Sequence, residues 1–194
     1  MSEEELCEFE RVHRCTLPSE YREFLRVVGR GGWFESPLAH FPGPDVGDNL
    51  VEEVDLSVPF PHSDVWNEWS PSMLELKEDD YWQHDYFDLR HVRGSLLMED
   101  IGCGAWARIV VNGPLAGEIW HDQRVDGLGL HPAQAPDGTR YTFLHWFLEK
   151  LDIQFYRYGH DEALGRQDPR GPDADFIIPV CCQAVCEKFA AGKQ

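Results

Sequence analysis

Cysteines and histidines are the residues of this chain whose types and spacing could support catalysis. Cys103 stands between two glycines, and a cysteine nucleophile needs an electropositive environment to form its thiolate. The chain carries 35 acidic and only 17 basic residues, so a small thiol packed in a turn is favoured over a nucleophile. The nine histidines keep the alternative open, because the sequence does not show which of them lies near Cys103.

Two groups of residues have spacings that can share a metal ion. Cys182 and Cys186 lie four residues apart on a predicted helix. A second predicted helical face carries three possible ligands, His84, Asp88 and His91. Neither group has a complete set of ligands nearby, and the chain contains no H-E-x-x-H motif and no paired C-x-x-C motif. We therefore expect buried cysteines and surface histidines, without a metal ion or another cofactor.

One glycine-rich segment matches a nucleotide-binding pattern. Residues 102–107 read Gly-Cys-Gly-Ala-Trp-Ala and fit G-x-G-x-x-[GA], but that motif must open a helix. The residues from Ala105 onward alternate as a strand does, so the glycines are interpreted as a tight turn between paired strands. The chain also lacks the Walker A and G-x-S-x-G motifs, and no catalytic residues are predicted.

The remaining candidate is a protein-interaction surface between about residues 72 and 93, a region that we predict to be helical. It combines acidic side chains, which can steer a partner, with aromatic rings, which can anchor one. The predicted partner-binding residues are Glu75, Glu78, Asp79, Asp80, Trp82, Asp85 and Asp88. The alternative is a half-buried helix with one solvated side, since acidic residues are also frequent in 3–10 and 45–55.

The net charge of −18 restricts the class of partner. Nucleic acids are bound through lysine and arginine, so we expect no nucleic-acid partner, whereas a basic protein would be attracted. Acidity also keeps many cytosolic proteins soluble, so it does not by itself establish a basic partner. The N-terminal residues lack a basic and apolar leader, and no stretch of 18 apolar residues occurs. Six cysteines without a regular framework indicate a reducing compartment, so we predict a cytoplasmic protein without membrane contact.

Two helices are predicted near the N-terminus. Ser2 followed by Glu5 forms a capping-box pattern at the start of the first helix. Pro18 lies in the first turn of the second, which ends at Gly29. A loop rich in proline and glycine then leads to Pro71.

From residue 95 onward, the sequence predicts a β-meander followed by a helix. Strands are predicted over 95–101, 105–112 and 117–122, with a possible fourth near 125–130. A helix over 141–151 has an apolar stripe that would cover one face of the sheet. The fold class is therefore α+β, an antiparallel meander sheet packed with helices. We predict one domain over 1–155 and an extension over 156–194, in which a linker precedes a cysteine-containing helix that packs on the domain.

Four segments of the chain resemble, in order, the SUKH superfamily (the Smi/Knr-type domain). Residues 17–25 resemble the LPxxYxxFL helix that opens these domains, and residues 59–66 resemble the PFPxxxxW segment of bacterial members. Residues 102–122 are similar to the central GCG…VVxGPxxGxVWxD hairpin, and residues 142–146 to the TFLxWY helix. The resemblance spans about residues 5 to 151 and has no counterpart beyond.

The resemblance implies a function as well as an α+β fold. Many bacterial members of the superfamily look like immunity proteins that neutralise toxins, often nucleases, by direct contact, while fungal relatives act as regulatory scaffolds. Neither role is enzymatic. The resemblance therefore implies a protein that binds and neutralises a cognate toxin, here a basic toxin domain; the alternative is a scaffold with several cellular partners. A monomer and a weak dimer both remain open. We expect four residues at positions typical of the family to serve turn geometry or packing: Gly102, Gly104, Trp120 and Asp122.

Overall fold

The computed structural model describes residues 1–29, 54–77, 80 and 82–151. Three of the predictions lie outside the described residues: the extension over 156–194 with Cys182 and Cys186, the acidic stretch up to residue 53, and the two partner-binding candidates Glu78 and Asp79.

Three α-helices of nine residues or more are described. Helix α1 (Glu3–His13) begins with the predicted capping box, in which the Ser2 hydroxyl accepts from the Glu5 backbone N–H and the Glu5 carboxylate accepts from the Ser2 N–H. Helix α2 (Ser19–Val27) follows Pro18. Helix α3 begins at residue 143 and is described up to residue 151. These bounds confirm the predicted helices at both ends of the described chain.

The strands form one antiparallel sheet in the order β1-β2-β3-β4, which confirms the predicted meander and the α+β fold class. The strands are β1 (Ser95–Gly102), β2 (Ala105–Val110), β3 (Ile119–Gln123) and β4 (Gly129–Pro132). The fourth strand begins later than predicted. A 3-10 helix at Arg124–Asp126 and a turn at Gly127, with φ of 70°, come first.

The glycine-rich segment is the predicted turn. Gly102 pairs with Ala105 across the β1-β2 hairpin, so Cys103 and Gly104 form a two-residue loop. Both have positive φ, 54° and 85°, as the hairpin turn that matches the twist of a sheet requires. The exposed Cys103 thiol therefore sits at a hairpin tip and opens no helix.

The two faces of the sheet have different cores. The face covered by α1, α2 and α3, here called the helix face, contains the larger apolar cluster, which includes Leu6, Phe9, Tyr21, Phe24, Leu25, Ile109, Ile119, Phe143 and Phe147. The opposite side, here called the loop face, is covered by residues 54–92. Its cluster is smaller and consists of Phe60, Val92, Val110, Trp120 and Leu130.

The prediction of one continuous helix between residues 72 and 93 is wrong. The described part contains three short 3-10 helices, Pro71–Glu75, Asp85–Phe87 and Leu89–His91, and α-helical structure there is described at Asp80 and Trp82 alone. The His84 ring accepts from the Tyr86 N–H at 3.1 Å, and the Asp88 carboxylate accepts from the Arg90 N–H at 2.7 Å. Such local bonds from side chain to backbone compete with the bonds of a regular helix. The mixed apolar and acidic pattern of these residues was therefore not sufficient to predict a helix.

Candidate protein-interaction surface

The loop that carries the predicted binding residues is joined to the sheet by backbone contacts. Trp66 and Leu130 exchange two N–H to carbonyl bonds of 2.8 Å each, and the Phe60 N–H donates to the Asn112 carbonyl at 2.9 Å. The approach at Gly129 is so close that a Cβ there would overlap the Trp66 carbonyl oxygen. These contacts anchor residues 54–69 on the sheet. We call residues 71–92, which follow them, the interaction segment.

A buried ion cluster lies between the sheet and the interaction segment. The Asp122 carboxylate accepts two bonds of 2.8 Å from Arg124 and one of 3.0 Å from the Arg108 Nε. All three side chains are at most 6% exposed. Burial alone would raise the pKa of Asp122, but the hydrogen bonds and charges of the two guanidinium groups outweigh it and lower the pKa below its ordinary value.

Arg124 also contacts the interaction segment directly. Its Nη1 donates to the backbone carbonyls of Tyr86 and Asp88, both at 3.2 Å. One guanidinium therefore bonds both a carboxylate of β3 and two carbonyls next to the acidic side chains of the loop. Five donors in a fixed planar fork make this possible for arginine.

Aromatic and imidazole rings form a layer on the loop face. Trp66 stacks on His91 with ring centroids 4.1 Å apart, on His62 at 5.0 Å and on Tyr86 at 5.4 Å. Burial, followed by the charges of His91 and Arg124, lowers the pKa of His62 to about 4. The pKa of His91 is lowered too, mainly by burial and then by the nearby arginines. Burial in this layer therefore favours the neutral form of both imidazole rings.

The structure places the described candidate residues at the surface. The Trp82 ring is 52% exposed and contacts Phe87 at a centroid distance of 5.0 Å. The acidic candidates in the described residues are all exposed: Glu75, Asp80, Asp85 and Asp88. Asp80 is helical, whereas the other three lie in or next to 3-10 helices. The four residues therefore do not share one continuous helix, and their role in binding stays a prediction.

The four exposed acidic side chains differ in whether they have a partner within the chain. Asp85 forms an ion pair of 2.9 Å with Arg90, and Asp88 caps the turn that follows it. Glu75 and Asp80, in contrast, form no ion pair with any residue that the structure describes. These two carboxylates can therefore pair with a cationic partner without breaking an ion pair in the described part of the chain.

Sequence reasoning missed the apolar part of this surface. Three leucines of the interaction segment are exposed, Leu74 at 70% and both Leu76 and Leu89 at 39%. Their signal in the sequence was the absence of a helical period among them.

The buried arginines were missed as well. Asp122 was expected to serve turn geometry or packing, and the structure shows it as the centre of an ion cluster. The alternation of β2 and β3 offered a signal, since Arg108 and Asp122 fall on the same side as the buried Val110 and Trp120. Two opposite charges at inward positions of paired strands indicate a buried ion pair.

The other chemical candidates are not assembled into sites. Among the described residues, no group of three or more histidine, cysteine or acidic side chains is close enough to hold a metal ion. His84, which was considered with Asp88 and His91, instead caps a 3-10 turn. In the same part of the chain, no helix has the length and apolar character needed to cross a membrane.

The comparison with known proteins identifies a family for the chain. The model of the SMI1 / KNR4 family (SUKH-1) matches residues 1–121 of the 194 in the chain, a range that includes α1, α2, the described loop and most of the sheet. No curated protein and no solved structure gives a significant match. Because the matched range covers more than half of the chain, this protein belongs to the SMI1 / KNR4 family, SUKH-1.

Proposed function

We propose that this chain is a cytoplasmic immunity protein that neutralises a toxin by direct contact, without catalysing a reaction. Its family is associated with immunity proteins. The partner we propose is a basic toxin domain, and the contact surface is the interaction segment with Glu75, Glu78, Asp79, Asp80, Trp82, Asp85 and Asp88.

The observation that carries this proposal is the uneven distribution of negative charge along the chain. Residues 54–92 contain nine acidic and two basic side chains, whereas residues 1–29 contain seven acidic and four basic ones. On the helices the charges are largely matched, as in the Glu3–Arg22 and Glu23–Arg26 pairs of 2.6 and 2.7 Å. A cationic partner would therefore be steered to the loop face.

Exposed apolar side chains supply the second requirement of a binding surface. Trp82 and Leu74 are more than half exposed in a segment that also carries unpaired carboxylates. Tight interfaces combine apolar anchors, which provide most of the affinity, with charges that accelerate association. A fixed support such as the Trp66–Leu130 bridge reduces the ordering cost of binding.

The proposal is tested first by an affinity pull-down of the tagged chain from its own cell lysate at moderate salt, with mass spectrometry. One dominant basic toxin domain, inactivated when bound in a stoichiometric complex, is the expected result. Many weak cellular partners would contradict the proposal and favour the scaffold function instead. Recovery of no toxin domain would also contradict it.

Charge reversal then locates the surface. Glu75→Lys is expected to lower the association rate constant about tenfold at low salt, and Trp82→Ala is expected to increase the dissociation rate constant. Glu4→Lys is the matched control, because Glu4 is an exposed residue of α1 and the substitution changes the net charge equally. Equal effects of the two lysine variants would show that net charge acts without a located surface.

A further inference from the structure

We propose that Arg124 is a positioning residue, which holds the interaction segment in the conformation that a partner recognises. The inference rests on the proposed function for the identity of the partner. Its structural part concerns only this chain. Arg124 bonds the Asp122 carboxylate with two of its nitrogens and the Tyr86 and Asp88 carbonyls with a third.

The two carbonyls lie where the interaction segment has little structure of its own. Tyr86 belongs to one 3-10 helix of three residues, and Asp88 separates it from the next, also of three residues. The Asp88 N–H donates to the Asp85 carbonyl at 3.1 Å, and the Val92 N–H donates to the Leu89 carbonyl at 3.0 Å. Such short helices are marginal by themselves, so contacts with the sheet must fix their orientation.

The acidic side chains of the surface extend from these same residues. The backbone carbonyl of Asp88 accepts from Arg124, while its exposed carboxylate accepts from the Arg90 N–H. Arg90 in turn pairs with Asp85. A shift of the backbone at 86–88 would therefore move both carboxylates. The Trp66 ring holds the Tyr86 side chain, and the Arg124 guanidinium holds the backbone carbonyls of Tyr86 and Asp88.

Arginine is specifically suited to this role. A lysine has a single nitrogen on a flexible stem, so it cannot bond the Asp122 carboxylate with two nitrogens and also reach two carbonyls. The carboxylate itself is held by Arg108 from the neighbouring strand, which fixes the direction of the Arg124 fork. Burying three charges is costly, and a defined loop conformation is what this arrangement provides.

Hydrogen exchange tests the structural part with Arg124→Lys and Arg124→Met. In both variants we expect the amides of Phe87, Asp88, His91 and Val92 to exchange at least about tenfold faster, with a smaller change for the amides of β2 and β3. Leu25→Ala is the control, since it removes a fully buried side chain of the helix face and destabilises the whole domain. If the arginine variants and this control show the same exchange pattern, Arg124 is only a stabilising residue and the inference is wrong.

Binding tests the functional part with the basic toxin domain as the probe. Arg124→Lys keeps the net charge, so we expect its affinity to fall about tenfold while the slope of affinity against salt concentration stays that of the unaltered chain. Leu25→Ala, compared at a temperature where both variants are folded, is expected to bind normally. Unchanged affinity of Arg124→Lys would overturn the positioning role in recognition.

The two proposals fail in different ways. If no toxin domain binds the unaltered chain, the proposed function is wrong, and the exchange experiment still decides whether Arg124 fixes the segment. If the toxin domain binds but both arginine variants bind as the unaltered chain does, the function stands and the positioning role is rejected.

Discussion

The helix face and the loop face of the sheet are held together by different kinds of interaction. On the helix face, aromatic rings from two helices interlock, as Phe24 does with Phe143 and Phe147 at centroid distances of 5.1 and 4.9 Å. On the loop face, an ion cluster and a close backbone approach at Gly129 supplement a smaller apolar cluster.

This difference has a physical consequence for how each face tolerates change. Apolar packing is non-directional and can readjust after a substitution, whereas a buried carboxylate between two guanidinium groups, or a backbone contact that only glycine permits, has no alternative arrangement. A chain that must present a defined surface on one side benefits from directional contacts there. The loop face should therefore be the more sensitive to single conservative changes.

The largest expected effect is that of Asp122→Ala. The substitution leaves Arg108 and Arg124 buried without the carboxylate that they share, and removing one member of such a cluster costs about 3–5 kcal/mol. Urea unfolding of the variant and the unaltered chain measures the loss. Asp85→Ala is the control, because its partner Arg90 is half exposed and little change is expected. A loss for Asp122→Ala as small as that of the control would show that the ion cluster does not stabilise the loop face.

The next effect concerns the close approach of the loop to β4. Gly129→Ala combines a positive φ of 77° with overlap of its Cβ and the Trp66 carbonyl, and we expect it to cost about 3 kcal/mol or more. Gly138→Ala is a matched control with a φ of 84° and no atom within 4 Å of the added Cβ. It should cost only the backbone strain, about 1–2 kcal/mol.

Thermal unfolding of both glycine variants gives the comparison. If both variants lose the same stability, the loop can move away from β4 without cost, and the loop face would be less specific than we argue.

A third prediction compares the two faces by pH, through one histidine on each. Burial is the main cause that lowers the pKa to about 4 for both His62, on the loop face, and His121, in β3 beside His131. Their unfolded values lie near 6.5, so the unfolded chain binds more protons between these values. Stability is therefore intact above pH 6.5 and falls as the pH decreases towards 4.

Each ring is partly exposed, so we expect a loss of only about 1 kcal/mol per histidine after allowing for solvent screening. Urea unfolding at pH 7, 5.5 and 4.5 measures the slope, and His62→Gln and His121→Gln should each make it shallower. Hydrogen exchange at pH 4.5 then shows which face opens first, and we expect the amides of residues 85–92 to lose protection before those of α1 and α2. Simultaneous loss on both faces would contradict a separate, weaker loop face.

Elements with a strong local pattern were predictable from the sequence. The capping box at Ser2 and the meander strands have signals that depend on neighbours only, and both are confirmed. The late start of β4 was missed because the turn at Gly127 is stabilised from a distance, by the Asn67 amide that donates to its carbonyl at 2.8 Å. Local propensity contains no information about such a partner sixty residues away.

The candidate site was less predictable for the same reason. The acidic and aromatic composition of residues 71–92 marked the segment, but two of its backbone carbonyls are bonded by Arg124, which lies on the loop face of the sheet and pairs with Asp122. No window of the sequence contains both partners of these long-range hydrogen bonds, so local patterns could not predict them. The exposure of Leu74 and Leu89 follows from the conformation of the segment.

The smallest expected effects are shifts in Tm of opposite sign for two surface carboxylates, one on each face of the sheet. Glu3 on α1 receives two bonds from Arg22, at 2.6 and 3.0 Å, and this hydrogen bonding is the main cause that lowers its pKa. Glu3→Gln should therefore lower Tm slightly. Glu75 has no ion pair among the described residues and lies in an acidic segment, so Glu75→Gln should raise Tm slightly, since repulsion is relieved.

Differential scanning calorimetry at low and high salt resolves the two cases, although each shift amounts to only about 1 °C. Salt weakens attraction and repulsion alike, so both shifts should shrink towards zero at high salt while keeping their opposite signs at low salt. If Glu75→Gln lowers Tm as Glu3→Gln does, the Glu75 carboxylate already has a stabilising partner within the chain. It would then not be available to a cationic partner, and the loop face would lose the charge asymmetry on which its proposed role depends.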